Sequence, residues 1–501
     1  MLRRFFLQII LYLAIFSALC YDGRREVMTM ERKSGVLLPL FSLPGDFGCG
    51  TMGDEAKRWI DFLREGGFSW WQVLPLGMTD FFHSPYASCS SFGGNYLWID
   101  PEEVFRAGLV TKEERDAQRV KDPYLCDYET LEKNRLPFLK RASSRVKDRG
   151  EILDFLRENP LLEKACFFFA LRDLNGGRHF REWLIRKPDP DTLFAWQFIQ
   201  YEFHRQWKKI HDYAKEKGIS ILGDLPIYVS ADSFDLYHAP ELFQLSPKHD
   251  PAFVAGVPPD YFSRDGQLWG NPLYDWDKMA QDGFSYWKER LSYTLSLYDG
   301  VRIDHFRALA AYWRIPAGAE SAREGEWVKG PGKAFIDAVR PLAKEKLILA
   351  EDLGIIDDDT RDLLRYSSFP GMAVIQFAFD QNPGNTHLPH NYEKNLVAYT
   401  GTHDNNTLLG FWWEMGEDER REAMAYLGDP KDPCDATLRA LWMSPASLVI
   451  VPVQDLLGYG ADTRINTPGR ADGNWRYRVT REQLRQIDKA RFRLLNHLYS
   501  R

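Results

Sequence analysis

GVRID at residues 300–304 ends a short apolar run on an aspartate, and this stretch has two counterparts further along the chain. LILAE at residues 347–351 ends on a glutamate, and VAYTGTHD at residues 397–404 ends on an aspartate. Burying an unpaired charge is costly, so a carboxylate at the end of an apolar strand indicates either a partner or a function. Three such ends, separated by segments long enough for a helix, predict one pocket at the carboxyl-terminal mouth of a parallel β-barrel.

Apolar and β-branched runs bounded by turn residues predict eight strands. These runs are residues 35–40, 70–74, 219–223, 301–303, 347–350, 373–377, 396–399 and 448–451. Helical patterns lie between several of them, at residues 55–65, 201–217, 284–298, 333–343 and 358–366. Alternating strands and helices imply a parallel sheet, and eight units predict an α/β fold of the (β/α)8 or TIM-barrel type.

Two of the spacings between predicted strands are too long for a simple crossover. Insertions at about residues 80–196 and 226–282 are expected to form subdomains in the βα loops, where a barrel usually carries the rim of its active site. The chain ends soon after the eighth strand, so we expect no C-terminal β-sandwich. The catalytic barrel is predicted to occupy residues 30–501.

Residues 1–29 are expected to be an apolar N-terminal extension. Two arginines and the apolar run at residues 5–19 have the charge and length of a signal peptide, but no small-x-small cleavage site follows them. The run is short for a membrane span. We favour a true start at Met28 or Met30, which predicts that the protein is cytoplasmic, whereas translation of the segment would leave export open.

The composition of the 501-residue chain is typical of a globular protein, with 44% hydrophobic and 27% charged residues. A net charge of -7, with lysine and arginine scattered along the chain, argues against nucleic acid as a partner. No stable association with a membrane is expected. The six cysteines are far apart and form no Cys-x-x-Cys pair, which predicts free thiols rather than a disulfide framework or a zinc site.

The three strand-end carboxylates are the candidate catalytic residues. Two facing carboxylates are the minimum for cleaving a glycosidic bond, and a separation of about 5 Å retains configuration. Asp304 is the expected nucleophile, kept ionised by Arg302, which lies two residues earlier on the same strand face. Glu351 is the expected general acid/base, because its apolar strand desolvates it and raises its pKa. An ion pair at a strand end is the alternative for any one carboxylate, but not for all three together.

Asp404 and His403 form a second candidate group. A third carboxylate can hold sugar hydroxyls with hydrogen bonds that strengthen as the sugar ring distorts, and His403 would donate another such bond. A His-Asp pair also suggests a metal ion, but no third ligand stands at a recognised spacing. We therefore predict no metal site.

The motifs around these residues resemble those of the 4-α-glucanotransferases called amylomaltases or disproportionating enzymes, of the glycoside hydrolase family 77 type in the α-amylase superfamily. The matching stretches are GVRIDHFR at residues 300–307, AEDLG at 350–354, GTHDN at 401–405, GDLPIYV at 223–229, SPY at 84–86, GGN at 93–95, AGVPPDYF at 255–262 and GQLWGNP at 266–272. The resemblance runs from about residue 35 to residue 477, and its longest stretch, at residues 255–272, is particular to this family.

The resemblance implies roles for individual residues. Asp304 corresponds to the nucleophile, Glu351 to the acid/base and Asp404 to the transition-state stabiliser. The implied substrate-binding residues are Arg302, His403 and Asp224 at the cleavage point, Tyr86 beneath that sugar ring, Asp260 and Trp269 on a mobile loop that closes over the glucan, and Asp380 and Asn474 at neighbouring subsites.

The resemblance also implies an activity, the transfer of α-1,4-glucan segments between maltooligosaccharides that serve as donor and acceptor. Transfer would proceed through a covalent glycosyl-Asp304 intermediate and release glucose, with no metal or organic cofactor. An α-amylase-type hydrolase using the same residues is the alternative, and a non-catalytic glucan-binding protein is a remote one. The sequence does not reveal an oligomeric state.

Overall fold

Eight parallel strands form the central sheet of the computed structural model, which describes residues 31–259, 264–354, 356–470 and 472–501. The strands of this described part are, in chain order, β1 (Lys33–Leu37), β2 (Trp70–Gln72), β3 (Ser220–Leu225), β4 (Phe253–Val257), β5 (Gln267–Pro272), β6 (Gly300–Ile303), β7 (Ala311–Pro316), β8 (Glu326–Lys329), β9 (Leu347–Ala350), β10 (Gly371–Val374), β11 (Leu396–Tyr399) and β12 (Leu448–Pro452). The central sheet has the order β10-β11-β12-β1-β2-β3-β6-β9.

The two edge strands of this sheet, β9 and β10, meet and nearly close it into a barrel. The backbone N–H of Ala350 donates to the carbonyl of Pro370 at 2.9 Å. The carboxylate of Asp352 accepts a hydrogen bond from the backbone N–H of Met372 at 2.7 Å. The two edge strands are therefore joined by one backbone hydrogen bond to the residue before β10 and by the Asp352 side chain, rather than by a regular series of backbone hydrogen bonds. The predicted (β/α)8 barrel is confirmed.

Helices surround the barrel and fill the long insertions. The α-helices of the described residues are α1 (Asp54–Glu65), α2 (Pro101–Arg106), α3 (Lys112–Asp116), α4 (Tyr128–Ser144), α5 (Gly150–Glu158), α6 (Pro160–Leu174), α7 (Pro190–Glu216), α8 (Phe234–His238), α9 (Trp276–Gln281), α10 (Ser285–Leu297), α11 (Gly332–Val339), α12 (Asp358–Ser367), α13 (Leu408–Glu414), α14 (Glu417–Leu427), α15 (Pro433–Met443), α16 (Val453–Leu457), α17 (Arg481–Gln486) and α18 (Lys489–Leu498). Helices α2 to α7 lie between β2 and β3, where the sequence has its longer spacing.

The eight predicted strands are the eight barrel strands, with ends that differ by up to three residues. All four residues of β9 are buried, and so are all four of β6 and all five of β12. Parallel strands covered on both faces read as continuous apolar runs, which is why the sequence reveals them clearly.

A second sheet was not predicted from the sequence. Strands β5, β4, β7 and β8 pair in that order, all antiparallel, beside the barrel. Trp269, expected on a mobile loop, lies in β5 of this sheet. Residues 226–282 are dense in proline and glycine, which favours loops, and β4 pairs with β7 more than 50 residues away. Local sequence patterns do not reveal such distant pairing.

Helix α7 is longer than predicted because it begins at Pro190 rather than near residue 201. The side chain of Asp189 accepts hydrogen bonds from the N–H groups of Asp191 and Thr192, which caps the first turn. Every residue from Phe194 to Gln200 is buried. A helix segment that is covered on all sides lacks the polar face that a sequence pattern requires.

The predicted extension at residues 1–29 lies outside the described residues. In the part of the chain that the structure describes, no helix combines the length and the apolar character needed to cross a membrane.

The strand register brings the candidate residues to one level of the barrel. Arg302 in β6 pairs with Asp224 in β3, and Ile303 in β6 pairs with Ala350 in β9. Asp304 and Glu351 are the next residues on these neighbouring chains, so both follow their strands at the same end of the barrel.

Candidate active site

A cleft of about 1350 Å³ opens at the carboxyl-terminal ends of the barrel strands. The predicted site residues that line it are Tyr86, Trp269, Arg302, Asp304, Glu351, Asp380, His403 and Asp404. Asp224 lies below the cleft and, with Tyr86, lines a small adjoining cavity of about 60 Å³. The fold therefore collects residues from distant parts of the chain into one pocket.

Arg302 forms the floor of the cleft and binds two aspartates. Its Nη2 donates to Asp304 Oδ1 at 2.7 Å, and its Nε donates to Asp224 Oδ2 at 2.8 Å. The side chains of Arg302 and Asp224 are 5% and 0% exposed, whereas that of Asp304 is 30% exposed. The guanidinium group thus holds Asp304 in place while the carboxylate stays accessible from the cleft.

Tyr86 connects this floor to the opposite wall. Its hydroxyl donates to Asp224 Oδ2 at 2.8 Å, accepts from Arg302 Nη2 at 3.2 Å and lies 3.4 Å from His403 Nδ1. The Tyr86 ring stacks on the His403 ring with centroids 4.9 Å apart. Burial, followed by the charge of Asp224, raises the pKa of Tyr86 well above its ordinary value, so the hydroxyl keeps its proton. Hydrogen bonds therefore run without a break from Asp304 to the His403 wall.

Glu351 is held by backbone groups. Its Oε2 accepts from the N–H of His305 at 2.7 Å, and its Oε1 accepts from the N–H of Leu353 at 3.1 Å. The backbone of His305 adopts a left-handed conformation, with φ 52° and ψ 50°, that residues other than glycine rarely take. The residue directly after Asp304 is therefore strained in the conformation from which its N–H binds Glu351.

The environment of Glu351 favours its protonated form. Burial raises the pKa of Glu351 to about 7, and the negative charge of Asp304 adds to the rise, against the opposing charge of Arg302. The rise expected from the sequence is confirmed. A carboxylic acid with such a pKa can both donate and accept a proton near neutral pH.

Asp404 lies in an opposite environment. Its Oδ2 is 3.2 Å from His403 Nε2, and its Oδ1 accepts from Asn466 Nδ2 at 2.6 Å. Desolvation in the cleft raises the pKa of Asp404, but the charge and hydrogen bond of His403 and the bond from Asn466 outweigh this effect and lower the pKa to about 2. Asp404 is therefore ionised throughout the neutral range.

A buried carboxylate holds both ends of the loop that carries Asp404. Asp455, which is 5% exposed, accepts from the Thr400 hydroxyl at 2.5 Å and from the N–H of Leu408 at 2.7 Å. Thr400 starts this loop after β11, and Leu408 begins α13. Because both bonds end on one side chain, the loop between them is clamped at its two ends.

Trp269 and Asp380 lie on the cleft walls, away from the buried floor. The Trp269 ring is edge-on to the His305 ring with centroids 5.0 Å apart, and the residue is 38% exposed. Asp380 is exposed, and its Oδ1 accepts from the N–H of Asn382 at 3.1 Å. Both residues present accessible groups to the cleft.

Asn474 is not among the residues that line the cleft. Its side chain accepts from the N–H of Thr467 at 2.9 Å and donates to the carbonyl of Arg470 at 2.8 Å. Pro468 and Gly469, within the loop that it binds, do line the cleft. Direct contact between Asn474 and a sugar stays a prediction, and Asp260 lies outside the described residues.

Asn466, His305 and Asp455 were not identified from the sequence. Asn466 and Asp455 both lie more than 50 residues after Asp404, and neither stands in a periodic pattern or beside a recognised motif. His305 could have been found, because it follows Asp304 directly within the GVRIDHFR stretch.

In the described residues, no three His, Cys, Asp or Glu side chains are grouped as a metal ion would require.

Comparison with known proteins identifies the family to which this chain belongs. A model of glycoside hydrolase family 77, described as 4-alpha-glucanotransferase, matches residues 38–484. The chain belongs to this family. A 4-alpha-glucanotransferase from Aquifex aeolicus is 41% identical over 468 residues, which cover 89% of this chain and 95% of that protein. A 4-alpha-glucanotransferase from Thermus thermophilus is 40% identical and covers 93% of this chain and 99% of its own length.

A solved structure of a family member has the same fold. The amylomaltase from Streptococcus agalactiae, in complex with acarbose, superposes with a TM-score of 0.90 at 36% identity, over 94% of this chain and 100% of that protein. The resemblance inferred from the motifs is confirmed, and with it the assignment of this chain as a 4-α-glucanotransferase enzyme. The roles of individual residues stay predictions.

Proposed function

We propose that this enzyme transfers α-1,4-glucan segments between maltooligosaccharides by a retaining double displacement, with a covalent glycosyl-Asp304 intermediate. The observation that carries the proposal is that Asp304 and Glu351 lie side by side at the ends of neighbouring strands. Both follow matched residues on neighbouring strands, and parallel strands lie roughly 4.8 Å apart. Retaining enzymes use two carboxyl groups about 5–5.5 Å apart, without room for a water molecule between carboxylate and sugar.

In the first step, Asp304 attacks the anomeric carbon of the donor sugar. The bond from this carbon to the glycosidic oxygen breaks, and an ester bond to Asp304 forms. Protonated Glu351 gives its proton to the departing oxygen, a role supported by its raised pKa of about 7. Arg302 holds the Asp304 carboxylate in place for the attack.

In the second step, the 4-hydroxyl group of an acceptor glucan attacks the same carbon. Glu351, now a carboxylate, takes the proton from this hydroxyl, and the ester bond to Asp304 breaks. Two inversions at one carbon retain its configuration. With maltotriose as donor, transfer of a maltosyl unit releases glucose. With a long glucan as donor, attack by the far end of the same chain yields a cyclic glucan.

The ionised Asp404 stabilises the positive charge that develops on the sugar ring. A carboxylate with a pKa of about 2 supplies a fixed negative charge that needs no rearrangement during the reaction. His403, Tyr86 and Arg302 line the cleft around the same ring, and the buried Asp224 holds Tyr86 and Arg302 in place. Hydrogen bonds already hold these side chains in place, so substrate binding does not have to order them.

Transfer requires that an acceptor sugar reach the intermediate before water does. Trp269 lies in β5, with its ring against His305, the residue after Asp304. Its aromatic face can bind the acceptor sugar, and a glucan that covers it excludes water from the intermediate. The proposed partners are therefore maltooligosaccharides and longer α-1,4-glucans, as donor and as acceptor. We place the reaction in the cytoplasm, and its chemistry needs no cofactor.

The product profile from pure maltotriose tests this proposal. Transfer predicts a ladder of longer maltooligosaccharides together with free glucose. Glucose and maltose alone would identify an α-amylase-type hydrolase, and unchanged maltotriose would favour a glucan-binding protein. Asp304→Asn is the matched control, because it removes the nucleophile while it keeps the shape of the cleft.

A further inference from the structure

His387 lies in the cleft wall in the segment that follows β10, close to Asp380 and Phe377. Three contacts fix it. Its backbone N–H donates to Asn385 Oδ1 at 2.8 Å, its carbonyl accepts from the Tyr392 hydroxyl at 2.9 Å, and its ring is edge-on to Phe377 with centroids 5.5 Å apart. A side chain held in this way can bind a ligand without first being ordered.

The position of the proton on His387 follows from its backbone partner. The N–H of Val374, the last residue of β10, points at His387 Nδ1 from 3.2 Å. A backbone N–H only donates, so Nδ1 is the acceptor and the proton of the neutral ring is on Nε2. Burial lowers the pKa of His387 to about 4, so the ring is neutral at the working pH of a cytoplasmic enzyme.

Nε2 is the atom of His387 left for a ligand. No described residue forms a hydrogen bond with it, and it is not one of the buried polar atoms that lack a partner. It is therefore accessible from the cleft that His387 lines. The carboxylate of Asp380 is near enough for its charge to act on the imidazole ring. An N–H donor beside a carboxylate acceptor matches sugar hydroxyls, which both donate and accept.

We propose that His387 is a substrate-binding residue whose Nε2–H donates a hydrogen bond to a hydroxyl group of a glucosyl unit bound beside Asp380. The ligand is thus a segment of α-1,4-glucan next to the sugar at the cleavage point. This inference rests on the proposed function for the identity of the substrate. The role of His387 differs from that of Asp304, Glu351 and Asp404 because it binds the glucan and takes no part in breaking or forming bonds.

Two substitutions separate binding from a structural role. His387→Asn places an amide oxygen where Nδ1 is, so it keeps the bond from Val374 but loses the donor that faces the cleft. His387→Gln reaches further and places an amide N–H near Nε2, but loses the inner bond. His390→Ala is the control, because His390 contacts Tyr426 and does not line the cleft.

The readout is the Kd for maltoheptaose, measured by calorimetry with each substitution added to Asp304→Asn, so that turnover does not interfere. We expect His387→Asn to weaken binding by about 3- to 10-fold, the effect of one lost hydrogen bond. His387→Gln should stay within about 3-fold and His390→Ala should be unchanged. Unchanged binding by His387→Asn, or an equal loss in the Asn and Gln variants, would overturn the proposal.

The same variants separate this inference from the proposed function. If the enzyme with Asp304 intact forms no longer glucans from maltotriose, the proposed function fails, whatever the Kd values are. If that enzyme does form them while His387→Asn binds maltoheptaose normally, only the assignment of His387 fails.

Discussion

Glu351 and Asp404 both lie beyond the end of a barrel strand on the wall of one cleft, yet their surroundings differ. Among the described residues, Glu351 accepts hydrogen bonds only from backbone N–H groups, and it faces the negative charge of Asp304. Asp404 is bound by the side chains of His403 and Asn466. The pKa is raised to about 7 in Glu351 and lowered to about 2 in Asp404. One carboxyl group is prepared to move a proton, and the other is prepared to stay charged.

The difference shows that the partners of a carboxylate, rather than its position after a strand, decide whether its pKa is raised or lowered. Neutral backbone donors cannot offset burial and a neighbouring negative charge, so the acid form persists. At Asp404 the imidazole of His403 and the amide donor of Asn466 outweigh desolvation and lower the pKa. The two residues should therefore respond differently to every perturbation that separates proton transfer from charge stabilisation.

The largest expected effect comes from Glu351→Gln, which cannot give or take a proton. With maltotriose, kcat/KM should fall by about 1,000- to 10,000-fold, the upper range for general acid–base catalysis. α-Maltotriosyl fluoride needs no proton for departure of its fluoride. Rapid-quench measurement of the first turnover should therefore show fluoride release close to that of the unmodified enzyme. An equal loss with both substrates would contradict the role of Glu351 as the acid.

Asp404→Asn keeps the shape of the side chain and removes the charge. We expect kcat to fall by about 100- to 1,000-fold, as for the loss of one electrostatic stabiliser of a transition state. The fluoride substrate should not restore the rate, because the sugar ring becomes positive whichever group departs. Steady-state assays with both substrates provide the measurement. A rescue by the fluoride would make Asp404 resemble Glu351 and would remove the distinction between them.

A smaller effect is expected from Asn466→Ala, which deletes the 2.6 Å hydrogen bond to Asp404. The bond stabilises the ionised form, so its loss should raise the pKa of Asp404 from about 2 and lower kcat by roughly 10-fold. The acidic limb of the pH–rate profile should move to higher pH. The basic limb, assigned to Glu351, should stay in place, and a shift of both limbs would show that the two carboxyl groups are not independent.

The smallest expected effect is on stability, and it has opposite signs for the two residues. The folded protein holds a proton on Glu351 more tightly than the unfolded chain, so stability is lost as the pH rises from about 4.5 to about 7. Glu351→Gln should therefore gain thermal stability, on the order of 1–2 °C, at pH 8 but not at pH 4.

The lowered pKa of Asp404 contributes stability that is present above pH 3.8 and lost towards pH 2. Asp404→Asn should accordingly be less stable than the unmodified protein at pH 8, with a difference that shrinks in acid. Differential scanning fluorimetry across this pH range compares the two variants. Shifts of the same sign for both would contradict the opposite pKa directions.

The barrel could be predicted from the sequence because its strands are buried on both faces and appear as apolar runs. Strands β4 and β7 could not, because proline and glycine lie around them and their pairing joins distant segments. The start of α7 was missed because residues 194–200, which follow its first turn, are buried on all sides. Patterns of alternating polarity report only elements that have one face in water.

The candidate site could be predicted where a side chain is tied to a strand end. Asp304 and Glu351 follow their strands directly, so the barrel fixes where they lie. Asn466 comes from a loop after β12 and reaches Asp404 only through the folded chain. Asp455 clamps the Asp404 loop from α16, and no local pattern connects the two. The partners that set each pKa are therefore visible in the structure and not in the sequence.

In the proposed mechanism, Asp304 becomes covalently bonded to the glucan while Glu351 only moves protons. Mass spectrometry of Glu351→Gln after rapid mixing with α-maltotriosyl fluoride tests this, because the ester can form there but no base assists its breakdown. We expect a protein heavier by one maltotriosyl unit, with the added mass on the peptide that contains Asp304. Added mass on a peptide with another carboxylate, or none although fluoride is released, would contradict it.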